Sequence, residues 1–339
     1  MLIMKSNENK RRRFLQLGLG ATAGILTTAI GCNNASGETA QTAGDSASCH
    51  ISPDQTIGPF YPHIKNGDGD VDLTHIQGKD GQAEGTVILV RGQIKDENCQ
   101  PIENALVEIW QANHHGRYSH ERDSQNSNPL DPHFEGWGEM TTGADGNYGF
   151  KTIKPAAYSF DDPANPENWR TPHIHFKVSR RGFHELITQM YFEGEKLNST
   201  DVVINDLPEN ERSQFILRPM ADENGIPVFN FNLTLQKIAT SQERSAALDA
   251  CAGKYDMHLH YGTPDALVTV RRDDQQLVLD MDGYASVELK PLGKDEFIAV
   301  SIDRRFVFNR NGNGSVNSVT LHSAAKSLPM TPVVAPKVG

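Results

Sequence analysis

The chain reads as all-β: a β-sandwich core followed by a smaller C-terminal antiparallel β domain. Three observations predict this. Short runs rich in Val, Ile, Phe and Tyr recur at 86–94, 105–110, 148–153, 174–178, 186–192, 214–218 and 228–235. Turn signals separate several of them, among them Asp96-Glu97-Asn98, Ala144-Asp145-Gly146-Asn147 and Asn224-Gly225. No long stretch of this region keeps an apolar stripe at helical spacing, and many short strands with Gly/Pro/Asn punctuation argue for a sandwich or barrel.

Composition bounds what such a fold can do. The 339 residues are 37% hydrophobic and carry a formal charge of −11, with a mean hydropathy of −0.51. Most basic residues of the first 31 positions are unopposed, so the remainder is more acidic still. Nucleic-acid binding rests on neutralising phosphate, and a body this acidic is unsuited to it.

The first segment, 1–31, reads as a targeting signal. Lys10-Arg11-Arg12-Arg13-Phe14-Leu15-Gln16 resembles a twin-arginine export motif, and the apolar run at 14–30 is just short of a bilayer span. It ends in Ala29-Ile30-Gly31-Cys32, which resembles a lipoprotein cleavage site, although Ala29 stands where Leu is usual. The expectation is a protein exported by the twin-arginine route, periplasmic or tethered to a membrane through lipidated Cys32. Residues 32–50, rich in Asn, Ser, Gly and Thr, read as a flexible tether. With Cys32 set aside, Cys49, Cys99 and Cys251 remain. A disulfide is allowed outside the cytoplasm, and the sequence does not say which two would pair.

The main domain is expected over 51–238. It opens with Ser52-Pro53-Asp54-Gln55-Thr56-Ile57-Gly58-Pro59-Phe60-Tyr61-Pro62, whose Gly/Pro breaks make it an extended arm. Two long loops, 112–136 and 156–169, interrupt the strands, and loops of that length in a compact β domain are usually functional. A linker at 239–252, with a short helix at 240–251, leads to a second β unit over 253–323. Its expected strands are 267–271, 276–281, 287–290, 297–301, 305–309 and 316–322, a pattern that resembles small lipocalin-like accessory domains. Within it Met257-His258-Leu259-His260 lacks company suited to a site. The Pro-rich tail, 324–339, is expected to be disordered.

Chemistry concentrates in Arg170-Thr171-Pro172-His173-Ile174-His175. Side chains two apart on a strand leave the same face, so His173 and His175 arrive side by side, as a metal ion requires. Arg170 places a fixed positive charge nearby. Alone, His-x-His is a weak signal and reads as two unconnected histidines on a polar strand face. Its company changes that: Glu108-Ile109-Trp110-Gln111-Ala112-Asn113, Gly116-Arg117-Tyr118-Ser119-His120, Asp131-Pro132-His133-Phe134-Glu135-Gly136-Trp137-Gly138, Lys154-Pro155-Ala156-Ala157-Tyr158 and Leu186-Ile187-Thr188-Gln189-Met190-Tyr191-Phe192.

This ordered series, with the arm Thr56-Ile57-Gly58-Pro59-Phe60, resembles the intradiol ring-cleavage dioxygenases, in particular the metal-bearing chain of the protocatechuate 3,4-dioxygenase branch. The resemblance spans roughly 52–236. It implies a non-haem Fe(III) held by Tyr118, Tyr158, His173 and His175, and a catechol cleaved by O2 to a cis,cis-muconate. Phenolate oxygen suits a hard trivalent ion, and imidazole is a common iron ligand. Arg170 would stabilise charge on the ring, Gln189 would hydrogen-bond near the metal, and Tyr158 would take part in proton transfer. Thr56, Gly58 and Pro59 would line the substrate pocket, from this chain or a neighbouring copy, and a homo-oligomer is plausible from the family. Taken singly, each tyrosine reads as a half-buried core aromatic, and Tyr148 and Tyr191 keep that reading. Asp161, Asp162 and Glu167 depart from the better-known enzymes and would discourage a carboxylated ring.

Two rival readings stand beside this one. The texture of 101–110 and 142–158 also suits a transthyretin-like adhesion module, which would have no reason to bring Tyr118 to the histidines. A zinc hydrolase would use the histidine pair but lacks a third His or carboxylate motif and leaves the tyrosines unexplained.

Overall fold

The computed structural model describes residues 48–63, 65, 67–160, 164–165, 168–238, 242–257, 267–281, 286–293, 295–324 and 331–338. The leader, Cys32, Asp161, Asp162, Glu167, His258 and His260 lie outside the described residues.

Among the described residues, twelve strands build the first domain: β1 (Val87–Asp96), β2 (Leu106–Trp110), β3 (Trp137–Thr141), β4 (Asn147–Ile153), β5 (Tyr158–Ser159), β6 (Trp169–Arg170), β7 (His173–Ser179), β8 (Leu186–Phe192), β9 (Ile216–Leu217), β10 (Ala221–Glu223), β11 (Ile226–Asn230) and β12 (Leu233–Leu235). In one sheet β1 pairs antiparallel with β4 and parallel with β11 and then β12, while β10 lies outside β11. The other sheet runs β3-β2-β7-β8-β9, and β5 and β6 form a separate two-stranded ribbon. Buried apolar side chains of both sheets, including Val90, Ile94, Val107, Ile109, Ile174 and Phe176, form the core.

The expected strand at 228–235 is broken in two. At the break the Asn232 side-chain oxygen accepts the Gln93 amide at 3.0 Å, so β1 exchanges one parallel partner for the next. Strand β3 had no counterpart among the expected runs. Its sequence, Trp-Gly-Glu-Met-Thr, has too little alternation to mark it, and pairing with β2 from Trp110↔Trp137 to Leu106↔Thr141 supplies what the local pattern lacks. Two short helices, α1 (Val202–Asp206) and α2 (Glu209–Arg212), also carry no sequence signal of useful length. A longer one, α3 (Gln242–Cys251), stands at the expected linker position.

The second domain is a closed antiparallel barrel of β13 (Gly253–Asp256), β14 (Leu267–Asp273), β15 (Gln276–Asp280), β16 (Val287–Pro291), β17 (Glu296–Ala299), β18 (Arg304–Arg310), β19 (Val316–Ser323) and β20 (Val333–Val338). Tail residues 333–338, expected to be disordered, are therefore a strand. Strand β20 pairs with both β13 and β19 and buries Ala335, because closure needs a strand between two otherwise open edges. The expected strand at 297–301 stops at Ala299, where a 3-10 turn (Val300–Ile302) begins. Cys49 and Cys99 form a disulfide that pins residues 48–50, the end of the expected tether, to the sandwich, and Cys251 is buried and unpaired.

Candidate active site

Strand β7 sets the site. Alternation sends Ile174, Phe176 and Val178 into the sandwich core and His173 and His175 to the opposite face. That face is not solvent. Ile57 and Phe60 of the arm, Trp110 and Ala112 at the end of β2, and Tyr118 and Tyr158 form a second apolar cluster over it. Both histidines are buried.

Each tyrosine is delivered by a locally fixed loop. In the loop after β2, Asn113 accepts the amides of His115 and Arg117 at 2.9 and 3.0 Å, and Asp123 accepts the Tyr118 amide at 2.7 Å. Gly116, at φ +74°, allows this loop to pass the next one: a β-carbon there would lie 2.4 Å from the Ala157 carbonyl oxygen. Tyr158 begins the ribbon and pairs directly with Arg170.

The four side chains meet. His173 Nε2 lies 3.2 Å from His175 Nε2 and 3.4 Å from the Tyr118 hydroxyl. The ring of Tyr158 is edge-to-face with that of Tyr118 at 5.2 Å and its centre lies 5.6 Å from that of His173. His173 Nδ1 donates to the Thr171 carbonyl at 2.7 Å, which fixes the tautomer and leaves the Nε2 lone pair pointing into the cluster. His175 stacks on Trp110 with ring centres 4.6 Å apart.

Burial, aided by Arg170, pushes the pKa of His173 well below the usual imidazole range. Burial, His173 and Arg170 do the same to His175, so both rings are neutral and able to ligate. Burial also raises both phenols above their ordinary range. For Tyr158, the Arg170 charge opposes the rise.

Arg170 is buried, not a surface partner. Its Nε meets Asp201 Oδ2 at 2.9 Å and its Nη2 donates to Gln189 Oε1 at 2.6 Å. Burial works against its charge, but Asp201 and the neighbouring phenols hold it protonated more firmly than usual. Asp201 was not singled out by sequence. It is fully buried, accepts the Thr171 amide at 2.9 Å and caps α1 by accepting from Val203 and Ile204. An Asp just ahead of an apolar Val-Val-Ile run is a capping signal, but nothing local connects it to an arginine 31 residues earlier.

Gln189 links Arg170 to the arm. Its Nε2 donates to the Thr56 carbonyl at 2.8 Å, and its amide nitrogen donates to Gln55 Oε1 at 2.8 Å. Tyr191, read as a core aromatic, is buried and donates to Gln189 Oε1 at 3.1 Å, while Tyr148 bonds the Phe231 carbonyl away from the site. Gly58, at φ +70°, sits so close that a β-carbon would be 3.3 Å from His175 Cε1. Thr56 and Gly58 thus reach the site of their own chain, and Pro59 beside them is exposed. Among the described residues no third His, Cys or carboxylate joins the histidine pair.

Known proteins share much of this chain's first domain in sequence. A family model described as "Dioxygenase" matches residues 57–237. A protocatechuate 3,4-dioxygenase beta chain from Burkholderia cepacia is 41% identical over 55% of this chain and 80% of its own length. A catechol 1,2-dioxygenase from Acinetobacter lwoffii is 35% identical over 36% of this chain and 45% of its own length. Among solved structures, catechol 1,2-dioxygenase from Pseudomonas arvilla C-1 matches with a TM-score of 0.43 and 27% identity, over 57% of this chain and 64% of that one. The chain belongs to the intradiol ring-cleavage dioxygenase family and is an enzyme of that class.

Proposed function

We propose that this protein is a non-haem Fe(III) dioxygenase that opens a catechol-type ring with O2 to a cis,cis-muconate-type product. The observation that carries this is the meeting of Tyr118, Tyr158, His173 and His175 in one buried cluster. The donor set fits the ion. Both imidazoles are neutral, His173 has its far nitrogen satisfied, and two phenols stand ready to offset a trivalent charge. Burial alone keeps those phenols protonated, and a +3 ion is what would reverse the balance. When bound, the ion would supply a Lewis-acidic site for a catechol to chelate, favouring loss of the hydroxyl protons that makes the ring electron-rich toward O2.

The chain's own groups would do the rest. Tyr158, where the Arg170 charge works against the rise that burial imposes on its pKa, would accept a substrate proton at its phenol oxygen. Arg170, held by Asp201 and Gln189, would face negative charge developing on the ring from a fixed position. Thr56, Gly58 and Pro59 would border the ring, and the apolar cluster would exclude water. The zinc alternative finds no third His, Cys or carboxylate beside the pair among the described residues and leaves the two tyrosines unexplained. An adhesion module does not account for four ligand-type side chains buried together.

Export, with a tether through Cys32, remains part of this reading, and the Cys49–Cys99 disulfide supports an oxidising compartment. The test is visible spectroscopy of the purified protein with oxygen uptake on a panel of catechols. A wine-red tyrosinate-to-iron band and catechol-dependent uptake are expected, and His175→Ala should lose both. A colourless, zinc-loaded wild type would sink the assignment.

A further inference from the structure

We propose that the C-terminal barrel is part of the ring-cleavage site, and that its Asp303 is a positioning residue for the substrate-bordering arm. This rests on the ring-cleavage reading above and assigns a task to a domain outside the matched region, which ends at residue 237.

The arm lies between the sandwich and the barrel. On the sandwich side the Gln55 amide donates to the Ile187 carbonyl at 2.7 Å, and Gln189 donates to the Thr56 carbonyl. On the barrel side Lys290 Nζ meets Asp54 Oδ2 at 2.7 Å, and the Thr56 hydroxyl donates to Asp303 Oδ2 at 2.5 Å. The same hydroxyl accepts the Gly58 amide at 3.1 Å, so Thr56 Oγ1 is used in both directions. Fixing its proton on Asp303 leaves its lone pair for Gly58, the residue where an added β-carbon would lie 3.3 Å from His175 Cε1. Apolar contact follows the same path. Val300, at the start of the 3-10 turn that ends in Asp303, belongs to the cluster containing Phe60, Tyr118 and Tyr158, with Ile298 packed against it.

Asp303 is placed for this. It ends the turn in the left-handed region, at φ 51° and ψ 45°, a conformation Asp and Asn adopt more readily than most residues. A carboxylate held there reaches the arm without a long flexible side chain.

The test uses the full-length, iron-loaded protein with catechol. Asp303→Gly keeps the left-handed backbone and removes the carboxylate, and Asp303→Asn keeps an acceptor. Asp303→Gly should raise KM roughly tenfold, as expected for one hydrogen bond to a charged group, with kcat and iron colour unchanged. Asp303→Asn should stay near wild type. Hydrogen exchange gives a readout that needs no turnover: the Gly58 amide should lose protection in Asp303→Gly and keep it in Asp303→Asn. In a Thr56→Ala background, Asp303→Gly should add nothing further, because its effect passes through that hydroxyl. An unchanged KM and unchanged Gly58 exchange in Asp303→Gly, in a wild type that does consume catechol, overturns the proposal. So does a rise shared equally by the glycine and asparagine variants. A wild type that is red yet consumes no catechol would instead count against the ring-cleavage reading, leaving the exchange result to decide the arm.

Discussion

At the scale of single residues, the site's charges are settled by buried partners that its motifs do not contain. Asp201 holds Arg170, the Thr171 amide and the first turn of α1 together, all out of solvent. Asp201→Ala should therefore cost roughly 3–5 kcal/mol of stability in urea unfolding, because it strands a buried guanidinium as well as removing a cap. The residues that would hold the proposed metal were legible because each sits in a short motif: Gly-Arg-Tyr, Lys-Pro-x-x-Tyr, His-x-His. Asp201 and Gln55 were not, since each acts on a partner far along the chain.

A second residue-scale case is Glu135. Burial, a hydrogen bond to Asp68 and the charges of Asp68 and Asp70 push its pKa up to about 8, although its Oε1 accepts the Gly69 amide at 2.7 Å. The folded state then binds a proton that the unfolded chain has already released. Stability from this group is full below the ordinary glutamate range and is lost as pH rises to about 8. Glu135→Gln should flatten that decline. Urea midpoints of both proteins at about pH 5 and about pH 9 check it, and the gap should favour the variant at the higher pH.

At the scale of elements, strands were legible where alternation or β-branched runs mark them, and β7 is the clearest. Its core-facing Ile174, Phe176 and Val178 fix the register that turns His173 and His175 toward the tyrosines. A slip of one residue would exchange the two faces, so the apolar face of β7 specifies the ligand face. Elements made by pairing rather than composition escaped: β3, held by β2, and β20, held by two barrel neighbours. The arm has neither strand nor helix, and at its N-terminal end the Cys49–Cys99 disulfide closes a separation of 50 residues. Reducing it should lower stability by roughly 2–4 kcal/mol, read as a fall in Tm with added reductant. The red colour expected of the iron-loaded protein should persist in the folded, reduced protein, because none of the four proposed ligands is joined to that bridge.

At the scale of the molecule, two β units are joined into one by a few polar contacts spanning large sequence separations. His184 Nδ1 meets Glu288 Oε1 at 2.5 Å, the Glu185 amide donates to Glu288 Oε2 at 2.7 Å, and Lys290 pairs with Asp54. The sequence periodicity that reveals each unit says nothing about such docking, because the partners are 103 to 236 positions apart and individually look like surface charges. They are buried (His184, Lys290) or half-buried (Asp54, Glu185, Glu288), which makes them more than that. Glu288 serves groups on the sandwich and also accepts Gln276 of the barrel at 2.7 Å, so one carboxylate joins both domains. If those contacts couple the domains, the wild type should melt in a single calorimetric transition. Glu288→Ala leaves His184 and the Glu185 amide without their acceptor, and should split that transition into two. The barrel would then unfold without the sandwich, and the arm, released on its barrel side, should become sensitive to protease before the iron colour is lost. One transition in both proteins would mean that the apolar contact through Val300 and Ile298 holds the domains together without Glu288.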